Sequence, residues 1–271
     1  MTSFVRYAAL FACAAGSTVG AAALGLPGSP SGLDAPAAAS SPEPQDLTVP
    51  YDGRYQFVRI RFDERGRGGF GGFGRRGGRE PMWAHDYPRA DRNFLSIIEE
   101  TTHVRIHPGG TNVLTADDPR LGRHPIAYIV EVGAWNPSDE EAAGLSAWLR
   151  KGGFLIVDDF RGGRALDNLA YQIDRMIPGA RLMPLPDDHR IFDSFFRIVP
   201  HDVIPPYGND PPVWFAVYEN NDPARRIMMV VNYNNDLGDY WEYSDYGYYP
   251  IDLSNEAYKI GVNYIVYAYT N

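Results

Sequence analysis

The sequence predicts an α/β fold: a doubly wound, mostly parallel sheet flanked by helices. Three observations carry this. Ile126 to Val132 is an apolar run broken only by Glu131, as expected of a strand covered on both faces. Ser138 with Glu141 forms a capping box, and Ala142, Leu145, Trp148 and Leu149 follow at helical spacing. Gly152 and Gly153 then release the chain into a second buried strand, Phe154 to Val157. A strand, a crossover helix and a parallel strand make a βαβ unit, and its connection is right-handed in nearly all cases.

The other elements are read in order. Residues 1–26 resemble an export signal: Arg6 is the lone charge, and Ala21-Ala22-Ala23 offers a cleavage site. The same stretch is just long enough to serve as an uncleaved anchor, and Leu10-Phe11-Ala12-Cys13 partly matches a lipobox. Residues 27–50, rich in Pro, Ala and Ser, read as a disordered linker. One α/β domain follows over 51–271.

Tyr55 to Phe62 alternates as a strand. Residues 65–79 carry five arginines among Gly-Phe pairs and read as a flexible Arg/Gly loop. Such segments can bind single-stranded RNA, but export and overall acidity point to a surface loop. Arg89 to Thr101 is a helix with Pro88 at its first turn. Val104 to His107 is a strand followed by a glycine loop. Ala165 to Met176 reads as a helix, and Ala180 to Met183, Trp214 to Tyr218 and Arg226 to Tyr233 as strands. Asn234 to Pro250 is expected to be a long aromatic, acidic loop. Ser254 is expected to cap a last, well-buried helix reaching about Tyr269.

Composition narrows the chemistry. The chain has 271 residues, a net charge of −9 and a pI near 5.1, which argues against nucleic acid as a partner. Its one cysteine, Cys13, lies in the signal region, so the folded part has no thiol nucleophile, disulfide or zinc-thiolate site.

In open α/β sheets, ligands bind at the carboxyl ends of strands. Asp158 and Asp159 end a strand there and, with His85, are the expected catalytic residues. Adjacent strand residues point to opposite faces, so both acids rarely serve one site. Trp83, Asp86, Glu131, Trp135, Arg161, Asn234, Asn235 and Trp241 are expected to line a ligand cleft. In it the amides would orient a polar ligand, and Trp135 and Trp241 would stack on it. His103, His107 and His124 show no metal-ligand spacing, and the acids of 236–245 do not match a calcium loop. No residue is therefore assigned as a metal ligand and the cofactor is unknown, although paired acids could hold a hard cation. His189 reads as a turn or cap.

The phrases WAHDYPRADRNF, IAYIVEVGAWNPSDEEAAGL, KGGFLIVDDF and NYNNDLGDYWEYSD resemble a bacterial family known only as domain of unknown function 4159. The order of elements is similar to the class I glutamine amidotransferase-like superfamily, in the style of its trehalose-utilisation-protein-like branch. That resemblance implies a flavodoxin-like sheet. It also implies a cysteine nucleophile after the strand at 154–157, where this chain has Asp158-Asp159-Phe160. Thiol chemistry is excluded and no catalytic residue carries over.

The expected function is an exported, periplasmic or secreted domain that binds a polar ligand such as glycan or cell-envelope material. The alternatives are an Asp-dependent, metal-assisted hydrolase and a non-catalytic module docking envelope proteins. Membrane contact is expected only through an uncleaved N-terminal segment.

Overall fold

The computed structural model describes residues 49–63, 81–206 and 210–271. The expected export segment, nearly all of the linker and the Arg/Gly loop lie outside the described residues. Among the described residues, no helix is long and apolar enough to cross a membrane.

In chain order the elements are β1 (Tyr55–Ile60), α1 (Arg89–Thr101), β2 (Ile106–Leu114), β3 (Ile126–Val130), α2 (Asp139–Arg150), β4 (Phe154–Phe160) and α3 (Gly163–Met176). They continue with β5 (Met183–Pro184), β6 (Val213–Tyr218), β7 (Ile227–Tyr233), α4 (Leu237–Glu242) and α5 (Ile251–Thr270). The seven strands form one sheet in the order β2-β1-β3-β4-β7-β6-β5. The pairs β2-β1, β1-β3, β3-β4 and β4-β7 are parallel; β7-β6 and β6-β5 are antiparallel. From β1 the chain winds outward to β2, then returns to place β3 on β1's other side. The order thus reverses between β1 and β3, the kind of place where such sheets open a crevice.

Period-two alternation sends strand side chains to two different cores. Phe57, Tyr128, Val130, Ile156 and Val230 pack with Phe94 and Ile98 of α1 and with Ile260, Tyr264 and Ile265 of α5. Val58, Ile129, Leu155, Val157 and Val231 pack with Leu145 and Trp148 of α2 and with Leu169 and Ile173 of α3. Helices cover both faces, so the sheet is doubly wound. The Ser138–Glu141 capping box is formed in both directions, with hydrogen bonds of 2.8 and 3.1 Å. The His189 side chain caps a short 3-10 turn by accepting from the Ile191 N–H.

Four local expectations are corrected. β2 starts later and runs on through Pro108, Gly109 and Gly110, because an edge strand tolerates both residue types at an irregular register. β4 continues past Val157 to Phe160, with a register shift that leaves Asp158 and Asp159 at a bulge. The segment 234–250 is not all loop: α4 forms there, capped by Asp236, which accepts from the Asp239 N–H at 2.8 Å. α5 begins one turn early, after Pro250, so Ser254 lies inside the helix and is buried.

Candidate functional site

The carboxyl ends of β3, β4 and β7 and the segment after β1 meet around one cleft of about 190 Å³. His85, Glu131, Asp159, Arg161, Asp236 and Asp239 line it, and Phe160 and Ala165 give it an apolar wall. The backbone is unusual here. Six described non-glycine residues have positive φ, and four of them flank this edge: Asp86 (63°), Glu131 (52°), Asp159 (47°) and Asn234 (55°). A non-glycine residue in that region costs about 1 kcal/mol or more, and such residues concentrate at functional sites. Cross-strand bonds hold the turns: the Glu131 N–H donates to the Asp159 carbonyl and the Asn234 N–H to the Phe160 carbonyl, both at 3.0 Å.

Arg59 of β1 anchors the segment that carries His85. Its guanidinium is fully buried, pairs with Asp91 of α1 at 2.5 Å, and donates to the carbonyls of His85 (2.8 Å) and Trp83 (3.3 Å). His85 thereby presents a side chain that is 47% exposed, over carboxylates that are almost wholly buried. Its Nδ1 lies 2.5 Å from Asp159 Oδ2 and 3.9 Å from Asp86 Oδ1. The hydrogen bond to Asp159 raises the imidazole to about 10, and burial opposes it.

The acids around it are raised as well, toward their neutral forms. Burial raises Asp86, Asp236, Asp239 and Glu242, and their mutual repulsion adds to the effect. His85, Asp86, Asp159 and Asp236 each place a ligand-type atom within 4.8 Å of the others. One oxygen each of Asp86 and Asp236 is buried without a hydrogen-bond partner. The close approach needs Gly238, where any Cβ would collide with Asp86 Oδ2. Opposed charges, perturbed protonation and a cleft together mark this as the candidate site.

Residues 74–269 match a protein family described as a domain of unknown function (DUF4159). The chain belongs to that family. No curated protein matches it. The DUF4159 match starts after β1, yet β1 lies between β2 and β3 in the sheet and supplies Arg59.

Of the expected site residues of this DUF4159 protein, His85, Glu131, Asp159 and Arg161 line the cleft, and Asp86 lies beside it in the acid cluster. The others are placed elsewhere. Asp158 faces the α4–α5 side, where it accepts from Tyr128 Oη (2.7 Å), Asn232 Nδ2 (3.0 Å) and the N–H groups of Leu237 (2.9 Å) and Gly238 (3.3 Å). Its role is to hold the start of α4, while Asp159, at the bulge, lines the cleft. Burial pushes Asp158 up to about 6.

Trp241 stacks on Phe94 at 4.4 Å, and Trp135 is 1% exposed, so both rings belong to the core and neither offers a face to a ligand. Trp83 is buried against Tyr87. Asn235 is fully buried, and the Asn234 amide oxygen is buried as well. Asp236, Asp239 and Glu242 were not expected as site residues. The sequence signal for Asp236 is an N-cap Asp three residues before Asp239, which is legible only once α4 is recognised. Nor did the sequence show that His85, Asp86, Asp159 and Asp236 cluster. The four clustered side chains come from three separate segments, so no local spacing could reveal them.

Proposed function

We propose that this protein is a non-thiol hydrolase that takes a polar substrate into the cleft at the carboxyl edge of the sheet. The observation that carries this reading is the His85–Asp159 pair. A half-exposed imidazole is hydrogen-bonded to a buried carboxylate in the lining of an acid-rich cleft. Such a pair offers groups that can move a proton or stabilise charge on a bound substrate, next to a space that can hold it. Arg161 adds a cationic group to the lining of the cleft. The amidotransferase-like resemblance favours the same location, since those relatives carry their nucleophile after the strand corresponding to 154–157. Here that place holds Asp158-Asp159-Phe160, within β4.

The substrate class that fits is neutral or mildly charged and rich in hydroxyl or amide groups, such as glycan or other cell-envelope material. The export-like residues 1–26 support a periplasmic or secreted setting, in which such material is at hand. The test is a turnover screen of the purified chain against glycoside, ester, amide and phosphoester substrates, repeated with Asp159→Asn and His85→Gln. Loss of turnover in both variants, with folding intact, supports the reading. Turnover unchanged in both, or no turnover of any class, removes it.

A further inference from the structure

We propose that Asp86, Asp159, Asp236 and His85 form a binding site for one divalent cation, best matched chemically by Mn²⁺. The inference rests on the reading of this cleft as the functional site, but not on which reaction occurs there.

The first observation is geometric. The four side chains come from the segment after β1, the bulge of β4 and the cap of α4, and their donor atoms lie within 4.8 Å of one another. A cation with ligands at about 2.1 Å spans about 4.2 Å between opposite donors. The widest separation among the donors is thus within about an ångström of that span. Nothing in the sequence spacing imposes this convergence.

The second observation is independent of the clustering. Asp86 is 5% exposed and Asp236 is 0% exposed, yet Oδ2 of each has no hydrogen-bond partner. Buried carboxylate oxygens are ordinarily satisfied, because leaving them bare is costly. The neighbouring donors Arg59 and His85 are already engaged. Arg59 points its guanidinium at Asp91 and at two backbone carbonyls, and His85 leans on Asp159. Two buried carboxylate oxygens, one each on Asp86 and Asp236, thus lack a donor, and a divalent ion is a species that would satisfy them.

The donor set selects the ion. Three carboxylates suit hard ions such as Mg²⁺, Ca²⁺ and Mn²⁺, while an imidazole favours the first-row transition metals. Mn²⁺ belongs to both groups. Four protein ligands leave up to two octahedral positions for water or a substrate oxygen, and the cleft adjoins them.

The experiment uses the full chain, stripped with chelator and titrated with Mn²⁺ alone. Calorimetry and the loss of the free-ion electron paramagnetic resonance signal read the binding. The expected result is one saturable site per chain, weakened at least about tenfold by Asp236→Asn. Asp245→Asn, an exposed acid paired with Arg89, leaves binding unchanged. His85→Gln alters a half-exposed side chain and decides the matter if Asp236→Asn does not fold; it too weakens binding about tenfold. Absence of saturable Mn²⁺ binding, or binding equal to wild type in the folded variants, overturns the proposal. Mn²⁺ bound without turnover of any substrate keeps the cation site and removes the hydrolase reading. Turnover that depends on Asp159 in a chain that binds no Mn²⁺ does the reverse.

Discussion

Asp158 was one of the two expected catalytic acids, and replacing it tests the structural role assigned to it. Its carboxylate receives four donors: Tyr128 Oη, Asn232 Nδ2 and the first two N–H groups of α4. Asp158→Ala strips all four of their acceptor in a fully buried place. At about 1 kcal/mol for each donor left unsatisfied, the low end of the usual range, the loss is about 4 kcal/mol.

Asp158→Asn behaves differently. The amide oxygen can keep Tyr128, Leu237 and Gly238 as donors, but its NH₂ then faces Asn232 Nδ2. Asn232 can answer by turning its amide over, since its other end meets Tyr264 Oη at 2.6 Å and a hydroxyl can accept as well as donate. Losing the charge is cheap, because burial already pushes Asp158 up to about 6. The expected cost is about 1 kcal/mol, one hydrogen bond of ordinary strength. Urea unfolding of wild type and both variants at pH 7 gives the numbers. Equal large losses in Asp158→Asn and Asp158→Ala, or a loss below about 1 kcal/mol in Asp158→Ala, would refute the network argument.

Three further outcomes are expected. Gly238→Ala drives a methyl into Asp86 and should cost about 1–3 kcal/mol by urea unfolding; a neutral result would mean the two segments are not in contact. Arg59→Met leaves Asp91 buried without its partner and should cost about 3–5 kcal/mol, with a matching drop in melting temperature; a loss below about 1 kcal/mol would show that the pair does not hold the His85 segment. His124 is buried and held down to about 4, below its unfolded value of about 6.5, so the unfolded chain takes up the proton first. Its contribution is therefore intact above pH 6.5 and is lost as pH falls from about 6.5 to 4, by up to about 3 kcal/mol. His124→Phe should flatten the stability profile in that window, and identical slopes in the two proteins would show that His124 titrates normally.

The parts of the fold set by local chemistry were legible in the sequence. The βαβ unit was visible because its signals are short-range: an apolar run, a capping box, a glycine exit. The limits of α1 and the position of β7 were readable for the same reason. What escaped depended on tertiary context. β2 runs through Pro108-Gly109-Gly110 because it pairs on one side only, a circumstance invisible to propensity. α4 is six residues long in an aromatic stretch and is fixed by Asp158, far away in the chain. In the site, strand-end placement located His85, Asp86, Glu131 and Asp159. The same reasoning misplaced Trp135 and Trp241, since an aromatic residue after a strand can as well be core as platform.

The division of labour at Asp158-Asp159 follows from the bulge in β4. Asp159, with φ of 47°, leaves the regular alternation and lines the cleft, while Asp158 turns to the α4–α5 side. The side that Asp158 addresses is sealed by α4 and α5, so a carboxylate there persists only when donors surround it, and four do. The side that Asp159 addresses is open at the carboxyl edge, where α3 begins beyond Gly162 and leaves a cleft. The inner acid fixes the start of α4, and that start carries Asp236, which faces the outer acid in the cluster. A structural carboxylate and a functional one are thus linked through a single short helix. The geometry around Asp159 depends on Asp158 even though Asp158 lines no part of the cleft.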